Sequence, residues 1–105
     1  MENKVLIIQN AMTLLEGQVQ KSSLASEAKS ALLVSVREID AKFVVSLCEI
    51  ASPPLTKGNL AYILCFLAGI EVKVIARVFN VEPATVYTAR FRLRRHFANL
   101  DISPF

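Results

Sequence analysis

The residues best suited to bind a charged group are four arginines within six positions near the carboxyl end of the chain: Arg90, Arg92, Arg94 and Arg95. Residues 83–97 contain these four arginines and no Asp or Glu. A guanidinium has a permanent positive charge and five N–H donors, which suit phosphate oxygens. The segment therefore predicts a phosphate-binding surface, and a solvated basic helix face is the structural alternative.

The charge is distributed unevenly along the chain. Residues 1–60 carry six Lys and Arg against six Asp and Glu, whereas residues 61–105 carry six against three. The net charge of +3 therefore comes from the second part of the sequence. Clustered positive charge is what nucleic-acid binding requires, so this asymmetry favours a nucleic-acid partner.

The residue types needed for catalysis or metal binding are scarce. His96 is the one histidine, and Cys48 and Cys65 lie in apolar runs without CxxC spacing. These residues are too few for a metal site, and no nucleophile or carboxylate accompanies the histidine. We therefore predict no metal, no cofactor and no enzymatic activity, and we predict that both cysteines are buried thiols in a reducing cytoplasm.

The sequence also lacks signals for a membrane or for export. Its longest uncharged apolar run, residues 60–70, is shorter than the roughly 20 residues that cross a bilayer. The amino-terminal MENK has an early acidic residue and no cleavable signal pattern. These features predict a cytoplasmic protein with no membrane partner.

Length and periodicity predict the fold class. A chain of 105 residues with 53% hydrophobic residues can form one domain, or a very small pair, with its own core. Apolar residues do not alternate with polar ones over any strand-length segment, and they recur at three and four positions. The prediction is an all-α protein.

The first predicted helix runs from residue 3 to about residue 19. Its apolar stripe consists of Val5, Ile8, Met12, Leu15 and Val19. Four further apolar residues, Leu6, Ile7, Ala11 and Leu14, widen this stripe. A face this wide predicts a second apolar neighbour, and a second copy of the same helix is one candidate.

Two more helices are predicted before a break at Ser52, Pro53 and Pro54. The second begins near Ser26 and directs Leu32, Leu33, Val36 and Ile39 inward. The third is capped by Asp40, and its apolar residues Phe43, Leu47 and Ile50 follow at helical spacing. Consecutive prolines cannot continue a helix, so the break predicts a boundary between a helical region, 1–52, and a second module, 55–97, followed by a short tail, 98–105.

The second module is predicted to contain a buried helix and then a helix pair. Thr56 caps the buried helix, which is apolar on every face over residues 60–68 and ends at Gly69. The pair consists of residues 72–79 and 83–97, joined through a left-handed Asn80. The last helix begins at Pro83, a residue favoured at the first helical position.

At about 100° per residue, the last helix directs Val86, Leu93 and Phe97 toward the core, with Ala89 and Arg90 at the edges. The opposite face has eight residues: Ala84, Thr85, Tyr87, Thr88, Phe91, Arg92, Arg94 and Arg95. Arginines with hydroxyl, methyl and aromatic groups suit the DNA major groove. The preceding helix adds an outward Lys73, and its first turn offers unpaired amides to a phosphate. Together the two helices describe a helix-turn-helix.

Residues 55–97, which are 43 of the 105 residues, resemble the DNA-binding domain of the LuxR (NarL/FixJ) family of bacterial transcription regulators. The elements that carry the resemblance are Leu55, Thr56, Gly69, Lys73, Ile75, Ala76, Asn80, Val81, Pro83, Thr85, Val86, Arg90 and the basic end. The string RFRLRR is further similar to a subgroup with an arginine, aromatic, arginine, leucine and two basic residues at that place.

The resemblance implies a four-helix module whose last helix enters the major groove. It implies that Tyr87, Thr88 and Phe91 face bases. It places four residues at the DNA backbone or in its support: Lys73, Thr85, Arg90 and Arg95. The chain departs from the family pattern at three places: Gly58 and Asn59 replace an Arg-Glu pair, Glu82 replaces a serine-like cap, and Tyr87 and Phe91 replace Lys or polar residues.

The leading expectation is a transcription regulator that binds double-stranded DNA as a homodimer, with the amino-terminal helices forming the dimer. Arg92, Arg94 and Arg95 are its main DNA-binding residues. The alternative is a protein-interaction module of helix-turn-helix shape that docks on RNA polymerase, or on another regulator, through Tyr87 and Phe91. The chain could also be the output end of a longer sensor protein.

Overall fold

The structure is a computed structural model that describes residues 4–98 and residue 105. Six α-helices and one 3-10 turn account for most of these residues: α1 Lys4–Lys21, α2 Ser26–Arg37, α3 Ala41–Ile50, α4 Lys57–Leu67, α5 Val72–Phe79, α6 Pro83–Arg94 and the turn Arg95–Phe97. The described residues contain no strand, so the all-α prediction is confirmed. The predicted helix start at residue 3 and residues 99–104 of the predicted tail lie outside the described residues.

The helix boundaries follow from local capping chemistry. The Asp40 carboxylate accepts a hydrogen bond from the Lys42 amide at 3.0 Å, and the Thr56 hydroxyl oxygen accepts one from the Asn59 amide at 3.1 Å. These bonds satisfy amides that have no partner within their own helix. Pro83 is the first residue of α6. All three predicted helix starts are confirmed.

Helix α1 lies at the centre of the bundle. It contacts α2, α3, α4 and α5, most extensively α4, and it buries Ala11, Leu15 and Val19 completely. These neighbours in the same chain account for the wide apolar face that the sequence predicted. Val5 is 53% and Leu6 is 52% exposed, so their predicted places in this face are wrong, and the buried part of α1 begins at the partly buried Ile7 and Ile8.

One hydrophobic core includes residues from both sides of the Ser52–Pro54 break. Helix α4 contributes five buried residues to this core: Leu60, Ala61, Ile63, Leu64 and Cys65. Leu15 and Val19 of α1 and Val86 of α6 belong to the same cluster. The two regions predicted from the sequence therefore share a core, and α4 has the interior position that its apolar sequence predicted.

Helix α3 presents a different face to the core from the one that Phe43, Leu47 and Ile50 mark. Val44, Leu47 and Cys48 are buried, whereas Phe43 is 43% exposed and Ile50 is 49% exposed. Of the three apolar residues at helical spacing, only Leu47 is therefore buried. Apolar residues surround most of this helix, so its own periodicity does not distinguish the two faces, and packing against α1 selects one of them.

Among the helices of residues 4–98, none combines the length and the apolar character that a membrane span requires.

Both cysteines are buried thiols, as predicted. Burial raises the pKa of the Cys65 thiol from its ordinary value of 9.0 to about 12, because the apolar surroundings disfavour the thiolate. Cys65 is therefore a core residue with little nucleophilic character in the folded state.

The raised pKa of Cys65 predicts a loss of stability at alkaline pH. Between about pH 9 and pH 12 the unfolded thiol loses its proton while the folded thiol keeps it, so the unfolded state is favoured increasingly. We expect this residue to lower the free energy of unfolding by up to about 1.4 kcal/mol for each pH unit in that window. Urea unfolding of the wild type and of Cys65→Ala at several pH values measures the effect. A difference between the two proteins that is independent of pH would contradict it.

Candidate nucleic-acid interface

The helix pair α5–α6 is joined by a tight turn. α5 ends at Asn80, whose φ of 55° is left-handed, and the amides of Asn80 and Val81 both donate to the Ala76 carbonyl. Asparagine tolerates this conformation, and the two bonds satisfy a carbonyl at the end of the helix. α6 then begins at Pro83 and packs against α5. The joint predicted at Asn80 is confirmed.

Helix α6 and the turn after it have one buried side. Val86, Leu93 and Phe97 are at most 5% exposed, and Ala89 and Arg90 at the edges of this side are half-buried. The predicted core face of the last helix is therefore confirmed. Its predicted end differs slightly, since α6 stops at Arg94 and the next three residues form the 3-10 turn.

The opposite side of the helix, which we call the α6 outer face, is fully accessible. Its members are all exposed: Ala84, Thr85, Tyr87, Thr88, Phe91, Arg92, Arg94 and Arg95. The two aromatic residues are the most prominent, with Tyr87 59% and Phe91 60% exposed. The face contains three arginines and no acidic residue, so it is both basic and partly apolar.

Two of the four clustered arginines have partners within the protein. The Arg90 guanidinium lies 5.6 Å from the centre of the Phe66 ring, and its buried Nε has no hydrogen-bond partner among the described residues. The Arg94 Nε donates to the Phe105 carbonyl at 3.2 Å. Arg90 therefore lies at the core edge of α6, apart from the outer face, where it packs on α4.

The other two arginines have uncommitted donors. Within the described residues, the Arg92 side chain makes no hydrogen bond or ion pair. The Arg95 guanidinium lies 5.0 Å from the centre of the Phe91 ring, a cation–π distance, and likewise makes no hydrogen bond there. Their N–H groups are therefore available to an external acceptor.

Three other predicted DNA-binding residues, Thr85, Thr88 and Lys73, differ in their positions and contacts. The Thr88 hydroxyl donates to the Ala84 carbonyl at 3.0 Å, which leaves its oxygen as an acceptor. Thr85 is exposed in the first turn of α6. Lys73 is exposed in the first turn of α5, and its side chain makes no hydrogen bond or ion pair to the described residues. Lys73 is thus on the neighbouring helix and not on the α6 outer face.

Two long-range contacts hold the helix pair in place. The Arg77 Nη2 donates to the Ser23 carbonyl at 3.0 Å, which ties α5 to the loop between α1 and α2. The His96 Nδ1 lies 2.6 Å from the Pro53 carbonyl, and the Ser52 amide donates to the His96 carbonyl at 2.9 Å. A carbonyl can only accept, so Nδ1 carries the proton in this contact. No feature of the sequence indicated these pairings.

A groove of about 310 Å³ lies beside the outer face. We call it the α4–α6 groove, and its lining residues are Asn59, Tyr62, Ala89, Arg92, Leu93 and His96. None of these lining residues has a carboxylate. Burial, followed by the smaller effect of the nearby Cys65 thiol, raises the pKa of the Tyr62 hydroxyl above its ordinary value of 10.0, so this hydroxyl keeps its proton at neutral pH. Sequence reasoning missed Asn59 and Tyr62; the one available signal was a phenol within an otherwise apolar helix.

No group of three or more His, Cys, Asp and Glu residues in the described part of the chain is arranged to hold a metal ion. The chemistry available at this interface is therefore that of guanidinium, amide, hydroxyl and aromatic groups, which bind phosphates and stack on planar rings.

The fold and the interface together define an all-helical protein that exposes a basic helix face without acidic residues. A scan of protein-family models found no family that matches the chain, and searches of curated proteins and of solved structures also found no match.

Proposed function

We propose that this protein is a DNA-binding transcription regulator of the LuxR (NarL/FixJ) type that inserts α6 into the major groove. The observation that supports this most is the α6 outer face, which is exposed along its length, has no Asp or Glu among its eight residues and presents the uncommitted donors of Arg92 and Arg95. Such a face offers little electrostatic repulsion to a polyanion and has both polar and apolar groups for the bases.

The residues of this face have distinct roles in the proposal. Tyr87, Thr88 and Phe91 contact base edges, where the aromatic rings meet thymine methyl groups and the Thr88 oxygen accepts from base amino groups. The backbone contacts come from Lys73, Thr85, Arg92, Arg94 and Arg95. Arg90, stacked on Phe66, supports α6 from behind.

The proposed regulator is a cytoplasmic homodimer formed through the amino-terminal helices. The apolar residues that remain exposed on α2 and α3 support this: Val34 is 52%, Phe43 is 43% and Ile50 is 49% exposed. Phe43 and Ile50 are seven residues apart and so lie on the same side of α3. A dimer of this kind places two recognition helices on one face of DNA, about 34 Å apart.

A lysine in place of Phe43 is expected to shift the protein toward monomer, because it puts a charge into the proposed apolar interface. Sedimentation equilibrium measures the change, and DNA affinity should fall with it. Thr13→Lys adds the same charge at an exposed position on α1 and serves as the control. If the wild type is a monomer at every concentration, the proposed dimer is wrong.

The DNA proposal is tested by selecting duplexes from a random pool and titrating them at increasing salt. Affinity should fall by orders of magnitude between about 50 and 200 mM salt, because several phosphate contacts release counterions. Absent binding, or binding that does not depend on salt, would exclude the proposal.

The exposure of Tyr87 and Phe91 supports a second candidate, a module that docks on RNA polymerase or on another regulator. Aromatic and arginine side chains are the types that most often dominate the binding energy of protein interfaces. A pull-down of purified polymerase in the absence of DNA distinguishes this candidate. Capture that Phe91→Ala removes would support it, and capture of polymerase should not occur if α6 acts on DNA alone.

A further inference from the structure

The α4–α6 groove combines four polar side chains. Two come from α4 and two from the end of α6 and the turn after it, so the two pairs are more than 25 residues apart in the sequence. Asn59 and Tyr62 come from the first turns of α4, and Arg92 and His96 come from the end of α6 and the turn after it. We propose that this groove holds a phosphate of the DNA backbone, with Arg92, Asn59 and Tyr62 as donors. The proposal rests on the proposed function and adds α4 to the DNA-binding surface.

Three of the four polar side chains of the groove are not occupied by other described groups of the protein. The side chains of Arg92, Asn59 and Tyr62 make no hydrogen bond to the described residues. Tyr62 is held by stacking on Phe79, with ring centres 4.3 Å apart, and its hydroxyl is protonated at neutral pH. His96 is held by its bond to the Pro53 carbonyl. The groove thus has unpaired donors and no negative charge among its lining residues, which suits a phosphate.

The identity of residue 59 supports this assignment. Thr56 is the N-cap of α4, so Asn59 is at the third helical position, where a glutamate would complete a capping box. An acidic side chain there would also interact favourably with the positive end of the helix dipole. The chain has a neutral amide instead, so it lacks this local stabilisation, and residue 59 places no carboxylate in the groove that would repel a phosphate.

The position of the α4–α6 groove is compatible with a DNA duplex that has α6 in its major groove. On the helical wheel Arg92 lies about 140° from Tyr87, at the edge of the α6 outer face. Arg92 and the half-buried Ala89 also line the groove, so this edge borders α4. A helix in the major groove has a phosphate backbone along each side. One of these backbones would therefore pass the groove.

Asn59→Glu separates the effect on binding from the effect on stability. We expect its affinity for a selected duplex to fall about tenfold or more. The slope of log affinity against log salt should become shallower by about the amount that one phosphate contact contributes. Its Tm should be unchanged or higher, because the substitution completes the capping box. Asn10→Glu makes the same charge change on the exposed side of α1 and should bind like the wild type. Arg92→Gln should lower the salt slope by a similar amount without adding a negative charge.

The outcomes distinguish this proposal from the proposed function. If the wild type and Asn59→Glu bind a duplex with equal affinity and slope, or if Asn10→Glu loses as much affinity as Asn59→Glu, the groove does not hold a phosphate, and DNA binding by the α6 outer face stands. If the wild type binds no duplex at all, the proposed function fails and this proposal fails with it.

Discussion

Simultaneous charge reversal at Arg92 and Arg95 is expected to abolish duplex binding at physiological salt. Both guanidinium groups are exposed and hydrogen-bond to none of the described residues, so in the proposed complex their donors go to the DNA. Each lost phosphate contact removes about 0.9 from the salt slope, and each new carboxylate repels the polyanion. We therefore expect an affinity loss of at least about a hundredfold for the double variant, measured by fluorescence anisotropy.

The matched control for this prediction is Lys42→Glu. It changes the net charge by the same amount as either single arginine reversal, and it lies in the first turn of α3, where an acidic residue suits the helix dipole. Its binding should stay close to that of the wild type. A double variant that keeps its affinity, or a control that loses as much as Arg92→Glu alone, would show that the α6 outer face does not bind the duplex.

Leu15→Ala is expected to have the largest effect on stability, a loss of about 2–5 kcal/mol in the free energy of unfolding. Leu15 is completely buried in α1, which packs on α2, α3, α4 and α5, so its truncation leaves a cavity in the shared core. Both regions of the chain should lose stability together. Urea unfolding followed by circular dichroism and by tyrosine fluorescence, which reports Tyr62 and Tyr87, should give one coincident transition.

The control for the core prediction is Gln9→Ala on the same helix. Gln9 is exposed, so removing most of its side chain should change stability by less than about 0.5 kcal/mol. Two separate transitions, or a tyrosine signal that does not shift in Leu15→Ala, would contradict a shared core. That result would instead favour two independently folding regions on either side of the Ser52–Pro54 break.

Most of the secondary structure could be predicted because its signals are local. The Asp40 and Thr56 caps, the left-handed Asn80 and the first-position Pro83 each act within a few residues of themselves. The core face of α6 could also be predicted, because its apolar positions recur with a single helical period. The face of α3 could not, since residues such as Phe43 and Val44 are both apolar and only the neighbouring helices distinguish them.

The candidate site was predicted in part. The exposed arc of α6 follows from the same periodicity that defines its core side, so the positions of Tyr87, Thr88, Phe91 and the arginines on one surface were visible in the sequence. The sequence did not show which of the arginines have partners within the protein. Arg90 and Phe66 are 24 residues apart in the chain, and their contact depends on how α6 packs on α4.

The sequence by itself determined that this protein is helical, where three of its helices begin, and that its excess positive charge lies in the second part of the chain. These properties depend on propensities, caps and periodicity, all of which act over one or two helical turns. Tertiary structure alone decided which clustered arginines have protein partners and which are available to a ligand. It also formed the α4–α6 groove, because bringing Asn59 beside Arg92 requires the folded core that holds α4 against α6.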